Sequence, residues 1–235
     1  MSHFLRLPKE LRIMIYAYCL VVQGDLNPYP THYEQQDNMR PLPRKPDIAL
    51  LQVNHLVRDE AQVVLYEQNM WRLSAGWLLA FTEKSQGWRG GTKNLIRRLV
   101  VSFDVRDLDS AELLKHALLA RLGWAQQGSD NRMVMGHDLI CARFLAGPWW
   151  FKIDFLSQMK VTNVTLDFTN CYCPNGCCRL VEDLHDDLKR IWDVLSFDAA
   201  VTITGWHDQE EADNIAKYWK FPRTTLDPKG QVEIT

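Results

Sequence analysis

Apolar and polar positions repeat with helical spacing in two stretches near the start of the chain. After Pro8, apolar residues recur every three or four positions, which predicts a helix that runs to about Val22. Pro8 suits the first turn of a helix, where its missing N–H has no partner to lose. The predicted apolar stripe of this helix consists of Leu11, Ile15, Tyr18 or Cys19, and Val22.

The second stretch predicts a helix over residues 47–66. Asp47 is a suitable N-cap, because its carboxylate can accept hydrogen bonds from the free N–H groups of the first turn. The predicted apolar stripe consists of Leu50, Val53, Val57, Ala61 and Val64. Arg58, Asp59 and Glu60 are expected on or beside the solvent face.

A polar segment with five prolines, residues 23–47, separates the two helices. Its composition predicts an irregular insertion. Pro43-Arg44-Lys45-Pro46 matches the short PxxP pattern, but such matches arise often by chance, and a plain linker is the favoured interpretation.

Beyond residue 73 the pattern alternates between strands and helices. The predicted strands are 95–103, 161–168, 200–204 and 231–234, after a strand that begins at 70–73. The predicted helices are 77–84, 110–122, 148–159, 180–195 and 209–219. This order favours parallel pairing with helices on one or both faces. The expected fold is therefore α+β, with a helical module over 1–73 and an irregular α/β domain over 74–235. Since no repeat length is fixed, a degenerate solenoid-like array is expected.

Charge and composition exclude several classes of function. Lys plus Arg number 27 and Asp plus Glu 29, for a net charge of −2, so no basic field favours nucleic acid as a partner. No apolar run is long enough to span a membrane or to form a secretion signal, which predicts a cytoplasmic or nuclear protein. The phosphate-binding, nucleophile-elbow and zinc-protease motifs are absent. We therefore expect a binding protein rather than an enzyme.

Four cysteines fall within eight residues at 171–178: Cys171, Cys173, Cys177 and Cys178. The Pro-Asn-Gly sequence between them predicts a turn. One interpretation is a zinc site completed by His185 or His207. A second is a strained disulfide between the two adjacent cysteines. A third is a set of small buried side chains without a ligand. The residues leave all three open, and zinc is the one cofactor they suggest.

The two helical stretches resemble the F-box. Their fuller pattern resembles a group of fungal F-box-like proteins, which read LPxELRxxIYxY and then, after a variable insertion, LLxVxxxxRxEAxxxLYxxN. In the first half the matching residues are Leu7, Pro8, Glu10, Leu11, Arg12, Ile15, Tyr16 and Tyr18. In the second half they are Leu50, Leu51, Val53, Arg58, Glu60, Ala61, Leu65, Tyr66 and Asn69.

This resemblance implies a docking module for a Skp-type adaptor of a cullin-RING ubiquitin ligase, followed by a degenerate leucine-rich-repeat-like domain that selects an unknown protein substrate. The docking candidates are Leu7, Pro8, Leu11, Ile15, Leu51 and Val53. The alternative for these residues is that they form the core of the protein's own helices. A second functional hypothesis is a structural protein with a zinc site in the cysteine cluster and no ligase partner.

Overall fold

Six strands in the described part of the chain form one parallel sheet, which organises the fold. The computed structural model describes residues 3–27, 45–73, 92–104, 149, 152, 155–156, 159–172, 179–181, 199–218 and 224–226. The strands are β1 (Asp25–Leu26), β2 (Met70–Leu73), β3 (Arg98–Ser102), β4 (Asn163–Asp167), β5 (Ala200–Thr204) and β6 (Thr224–Leu226). They pair in chain order and every pair is parallel. The expectation of helices combined with a parallel sheet is thereby confirmed.

The helices of the described residues lie mainly at the two ends of the chain. The 3-10 helices are η1 (His3–Arg6), η2 (Ile48–Gln52) and η3 (Thr92–Leu95). The α-helices are α1 (Lys9–Leu20), α2 (His55–Gln68) and α3 (Gln209–Tyr218). In the predicted helix 148–159, the described residues 149, 152, 155 and 156 have helical conformation. No helix in the described ranges is long and apolar enough to cross a membrane.

Strands β2, β4 and β5 alternate between one buried face and one half-exposed face, whereas β3 is buried from Leu99 to Ser102. On β4 and β5 the buried side chains are Val164, Leu166, Val201 and Ile203, and the intervening positions are polar or small and only partly buried. This alternation follows from the two-residue period of a strand. The buried face joins one hydrophobic core that also takes in residues of α1, α2 and α3.

The predicted helix over 47–66 is two elements. Asp47 caps η2, where its side chain accepts a hydrogen bond from the Ala49 nitrogen at 3.3 Å. Asn54 has an extended backbone that separates η2 from α2, and its side chain accepts a hydrogen bond from the Val57 nitrogen at 2.9 Å. An Asn in this position is a strong N-cap, so α2 starts at His55 rather than at Asp47.

The sequence analysis did not predict the two edge strands. The first, β1, lies inside the segment predicted to be an irregular insertion, and β6 lies in the polar tail. Strands of two and three residues are too short to show an alternating pattern. The predicted helices 77–84, 110–122 and 180–195 and the predicted strand 231–234 lie wholly or almost wholly outside the described residues.

A charged network on the half-exposed face ties four strands together. The Arg72 guanidinium on β2 donates to Asp25 Oδ2 on β1 at 2.6 and 2.9 Å, and to Asp167 Oδ2 on β4 at 2.8 Å. It also donates to Ser102 Oγ on β3 at 2.6 Å. Burial opposes ionisation of Asp167, but hydrogen bonds from Thr169 and Arg72 outweigh it and lower the pKa of this carboxyl.

The sheet and the core therefore contain residues from both sides of residue 73. The division into a helical module over 1–73 and an α/β domain over 74–235 stays a prediction.

Buried Asn69 joins the carboxyl ends of α1 and α2 to the start of the sheet. Its side-chain amide donates to the Leu20 oxygen at 3.0 Å and to the Leu65 oxygen at 2.9 Å. Its Oδ1 accepts from the Val22 nitrogen at 2.9 Å. These contacts satisfy helix-end groups that would otherwise be left without partners.

The substitution Asn69→Ala should therefore lower the free energy of unfolding by about 2–4 kcal/mol, because it leaves buried backbone groups unpaired. Urea denaturation followed by circular dichroism measures this change. Asn163→Ala, an exposed strand position, is the matched control and should stay within about 0.5 kcal/mol of the wild type. Equal unfolding midpoints for both variants would contradict this role of Asn69.

Candidate docking surface

Helix α1 is apolar on two opposite sides. After Arg12 it reads IMIYAYCL and contains no charged residue. Its buried side is formed by Arg12, Tyr16 and Leu20, at four-residue spacing. A helix that is apolar on all sides normally has both sides covered. The described part of the protein covers only one of them.

The opposite side of α1 carries an exposed apolar stripe. Its members are spaced i, i+3, i+4 and i+7, the spacing of anchors on a helix that docks into a groove. They are Leu11 at 45% exposure, Met14 at 67%, Ile15 at 39% and Tyr18 at 76%. We call these four residues the outer stripe. Because Leu11 and Ile15 are exposed, the interpretation that they are core residues is wrong.

Other exposed apolar side chains lie nearby in sequence. They are Ile48, Val53, Leu56 and Val63, on η2 and α2 or between them. A hydrogen bond of 3.2 Å from the Asp47 nitrogen to the Cys19 oxygen places the residue before Ile48 at the carboxyl end of α1. From residue 92 onward, the described residues include no large hydrophobic side chain that is exposed to this degree. Among the described residues, exposed large apolar side chains thus lie between Leu11 and Val63.

The six docking residues predicted from the sequence differ in their accessibility. Leu11, Ile15, Val53 and Pro8 are exposed. Leu7 is half-buried, and Leu51 is half-buried and packs on the hydrophobic core. The sequence analysis did not identify Met14. It placed Tyr18 in the predicted apolar stripe of the first helix but not among the docking residues. The signal that could have identified both is the absence of charge around the last two turns of α1.

A buried ion pair joins α1 to α2. Arg12 Nε and Nη2 donate to the two carboxylate oxygens of Glu60 at 2.9 and 2.6 Å, and Tyr16 Oη donates to Glu60 Oε2 at 3.1 Å. The side chains of Arg12 and Glu60 are 11% and 9% exposed. The sequence predicts Glu60 on or beside the solvent face, and the residue is half-buried. Its carboxylate turns to Arg12 on the other helix, a distant partner that apolar periodicity cannot indicate.

Each member of this cluster has a shifted pKa. Hydrogen bonding to Arg12 holds the pKa of the Glu60 carboxyl below its usual range. Burial, together with the hydrogen bond to Glu60, raises the pKa of the Tyr16 hydroxyl. Because Arg12 and Glu60 interact in two parallel hydrogen bonds, the pair fixes the orientation of α1 as well as contributing charge attraction.

The structure describes only part of the predicted zinc site. Cys171 is buried in the hydrophobic core, and burial raises the pKa of its thiol. His207 contacts Asp208, with 3.3 Å between Nδ1 and Oδ2. Cys173, Cys177, Cys178 and His185 lie outside the described residues. Within the described ranges no three Cys, His, Asp or Glu side chains are grouped to hold a metal ion. For Cys171, burial fits the interpretation of a small packed side chain.

The ends of the cysteine segment are held together. Tyr172 and Arg179 pair in an antiparallel bridge. Arg179 donates to both carboxylate oxygens of Glu211 at 2.9 Å and to the backbone oxygens of Phe168 and Gly205 at 2.8 Å. This cluster fastens the segment to the carboxyl ends of β4 and β5, where Gly205 has a positive φ of 77° and a Cβ would overlap the Thr169 backbone.

Comparison with known proteins adds no relative: the chain matches no protein-family model, no curated protein and no solved structure.

The contribution of the Glu60 carboxylate to the free energy of unfolding should depend on pH. Its carboxyl has a lower pKa in the folded chain than in the unfolded chain, where it is near 4.3. The stabilisation is therefore complete above that value and is lost as the pH falls through the lower folded pKa. Glu60→Gln should lower the free energy of unfolding by about 1–3 kcal/mol at pH 7, and the difference from wild type should shrink below about pH 4.

Denaturant unfolding at a series of pH values measures this dependence. Glu210→Gln, which neutralises an exposed carboxylate on α3, is the control and should change stability by no more than about 1 kcal/mol. A destabilisation by Glu60→Gln that is the same at pH 3 and pH 7 would show that the ionised carboxylate is not the stabilising group.

Cys171 should be unreactive in the folded protein, because a buried neutral thiol is a poor nucleophile. The native Cys171→Ala variant should expose the same number of thiols to a thiol-specific reagent as the native wild type. In denaturant it should expose one fewer. If native Cys171→Ala has one reactive thiol fewer than the native wild type, Cys171 is accessible. It would then again be a candidate metal ligand or redox group.

Proposed function

We propose that the protein is an F-box-like interaction adaptor that docks on a Skp-type adaptor of a cullin-RING ubiquitin ligase. The observation that carries the proposal is the outer stripe of α1, an exposed apolar row on a helix whose other side is buried. Apolar rows at this spacing are how helices bind the grooves of partner proteins. The resemblance of residues 4–73 to the F-box supplies the class of partner.

Electrostatics agree with a protein partner. The net charge of −2 provides no basic field for nucleic acid. The apolar side chains of the outer stripe can lose their contact with water in a protein interface, and that burial favours association. Contiguous exposed apolar patches on soluble proteins commonly mark such interfaces.

We further propose that the parallel sheet belongs to a degenerate leucine-rich-repeat-like array that presents a protein substrate to the ligase. The support is that successive strands are neighbours in chain order and all run parallel, as in arrays in which each unit contacts only its neighbours. The half-exposed polar face of β4 and β5 leaves side chains available for contact.

The test is a binding measurement with the Skp-type adaptor. Leu11→Asp combined with Ile15→Asp places two charges on the outer stripe and should abolish co-purification, since each charge would have to be buried in an apolar interface. Both side chains are exposed, so the variant should stay folded. Asn163→Asp combined with Thr225→Asp adds the same charge at exposed sheet positions and should bind as wild type does.

Circular dichroism and the unfolding midpoint confirm that all variants are folded. If the wild type fails to bind under conditions in which a known F-box protein binds, the proposed function is wrong. If both double variants bind equally well, the outer stripe is not the interface.

A further inference from the structure

Before α1, Phe4 and Leu5 of η1 pack against the hydrophobic core, whereas Leu7 is half-buried and Pro8 is exposed. The N-cap of α1 is Pro8, and no side chain makes a capping hydrogen bond there. The predicted docking residues Leu7 and Pro8 lie between η1 and α1. A segment of this kind frays easily unless a tertiary contact holds it.

The Arg12 side chain supplies such a contact. Its Nη1 donates to the Leu7 backbone oxygen at 2.6 Å. The other two nitrogens of the same guanidinium bind Glu60 on α2. One planar group therefore joins the segment before α1 to a second helix. Phe4 of η1 packs edge-on against Tyr16, with ring centroids 5.9 Å apart.

We propose that Arg12 is a positioning residue for partner binding: it holds Leu7–Pro8 in register with the outer stripe, so that the partner meets one preorganised surface. This inference rests on the proposed function for the identity of the partner. Preorganisation raises affinity because the ordering of the segment is complete before association.

Lysine cannot replace arginine in this role. Its ammonium is a single point charge, whereas the guanidinium presents donors in a fixed fork to two acceptors at once. Arg12→Lys keeps the charge beside Glu60 but should release the Leu7 oxygen. We expect its Kd for the Skp-type adaptor to be about tenfold higher than that of wild type, a fold-change typical of losing one interface anchor.

Arg72→Lys is the matched control, because Arg72 also bridges carboxylates on different elements but lies in the sheet rather than beside the docking segment. It should lower stability while changing Kd less than about twofold, since its site shares no contact with Arg12. An equal rise in Kd for the two variants would show that affinity merely follows stability and would overturn the inference.

Amide hydrogen exchange of the free chain gives a readout that needs no partner. Arg12→Lys should speed exchange in residues 3–11, and Arg72→Lys should leave that segment unchanged. If the wild type binds no Skp-type adaptor, this measurement alone decides whether Arg12 positions the segment, and only the proposed function fails. Unchanged exchange in Arg12→Lys would overturn the inference whatever the adaptor does.

A triple variant covers the case in which Arg12→Lys fails to fold. Arg12→Met, Tyr16→Phe and Glu60→Leu together replace the polar cluster with apolar side chains, an exchange that buried ion pairs often tolerate. The helices should stay packed, but the Leu7 oxygen loses its donor. Faster exchange over residues 3–11 in this folded variant supports the inference, and wild-type exchange there contradicts it.

Discussion

The ion pair between Arg12 and Glu60 decides which side of α1 faces the protein and which side faces solvent. Both side chains of α1 that reach Glu60, Arg12 and Tyr16, lie on the side that also carries Leu20 into the core. Once that side is turned inward, the outer stripe must point away. A bidentate pair with low exposure fixes this rotation more firmly than apolar packing alone, because carboxylate and guanidinium must align in one plane. The proposed interface is a consequence of that alignment.

Asn69 and Arg72 extend the same organisation into the sheet. Asn69 closes the ends of α1 and α2, and Arg72, three residues later, joins four strands through carboxylates and a hydroxyl. The contacts of Glu60, Asn69 and Arg72 thus link α1 to the sheet through residues 60–72. Each cluster pairs polar groups that would be costly to leave without a partner away from water.

Local patterns were enough to predict much of the fold. The strand at 200–204 and the helix that starts at Gln209 were placed correctly from spacing alone, and so was parallel pairing. The buried side of α1 could not be predicted, because the helix is apolar on two opposite sides after Arg12 and the deciding partner, Glu60, is distant in sequence. The break at Asn54 was missed for a different reason: apolar spacing continues across it, and only the capping hydrogen bond marks the boundary.

The most direct test of the account is methyl nuclear magnetic resonance of the protein as the Skp-type adaptor is added. The account predicts that signals from Leu11, Met14 and Ile15 shift or broaden, while signals from the buried sheet residues Val201 and Ile203 do not. Perturbation confined to residues of the sheet, or no perturbation at adaptor concentrations that saturate a known F-box protein, would contradict the claim that the outer stripe of α1 is an interface.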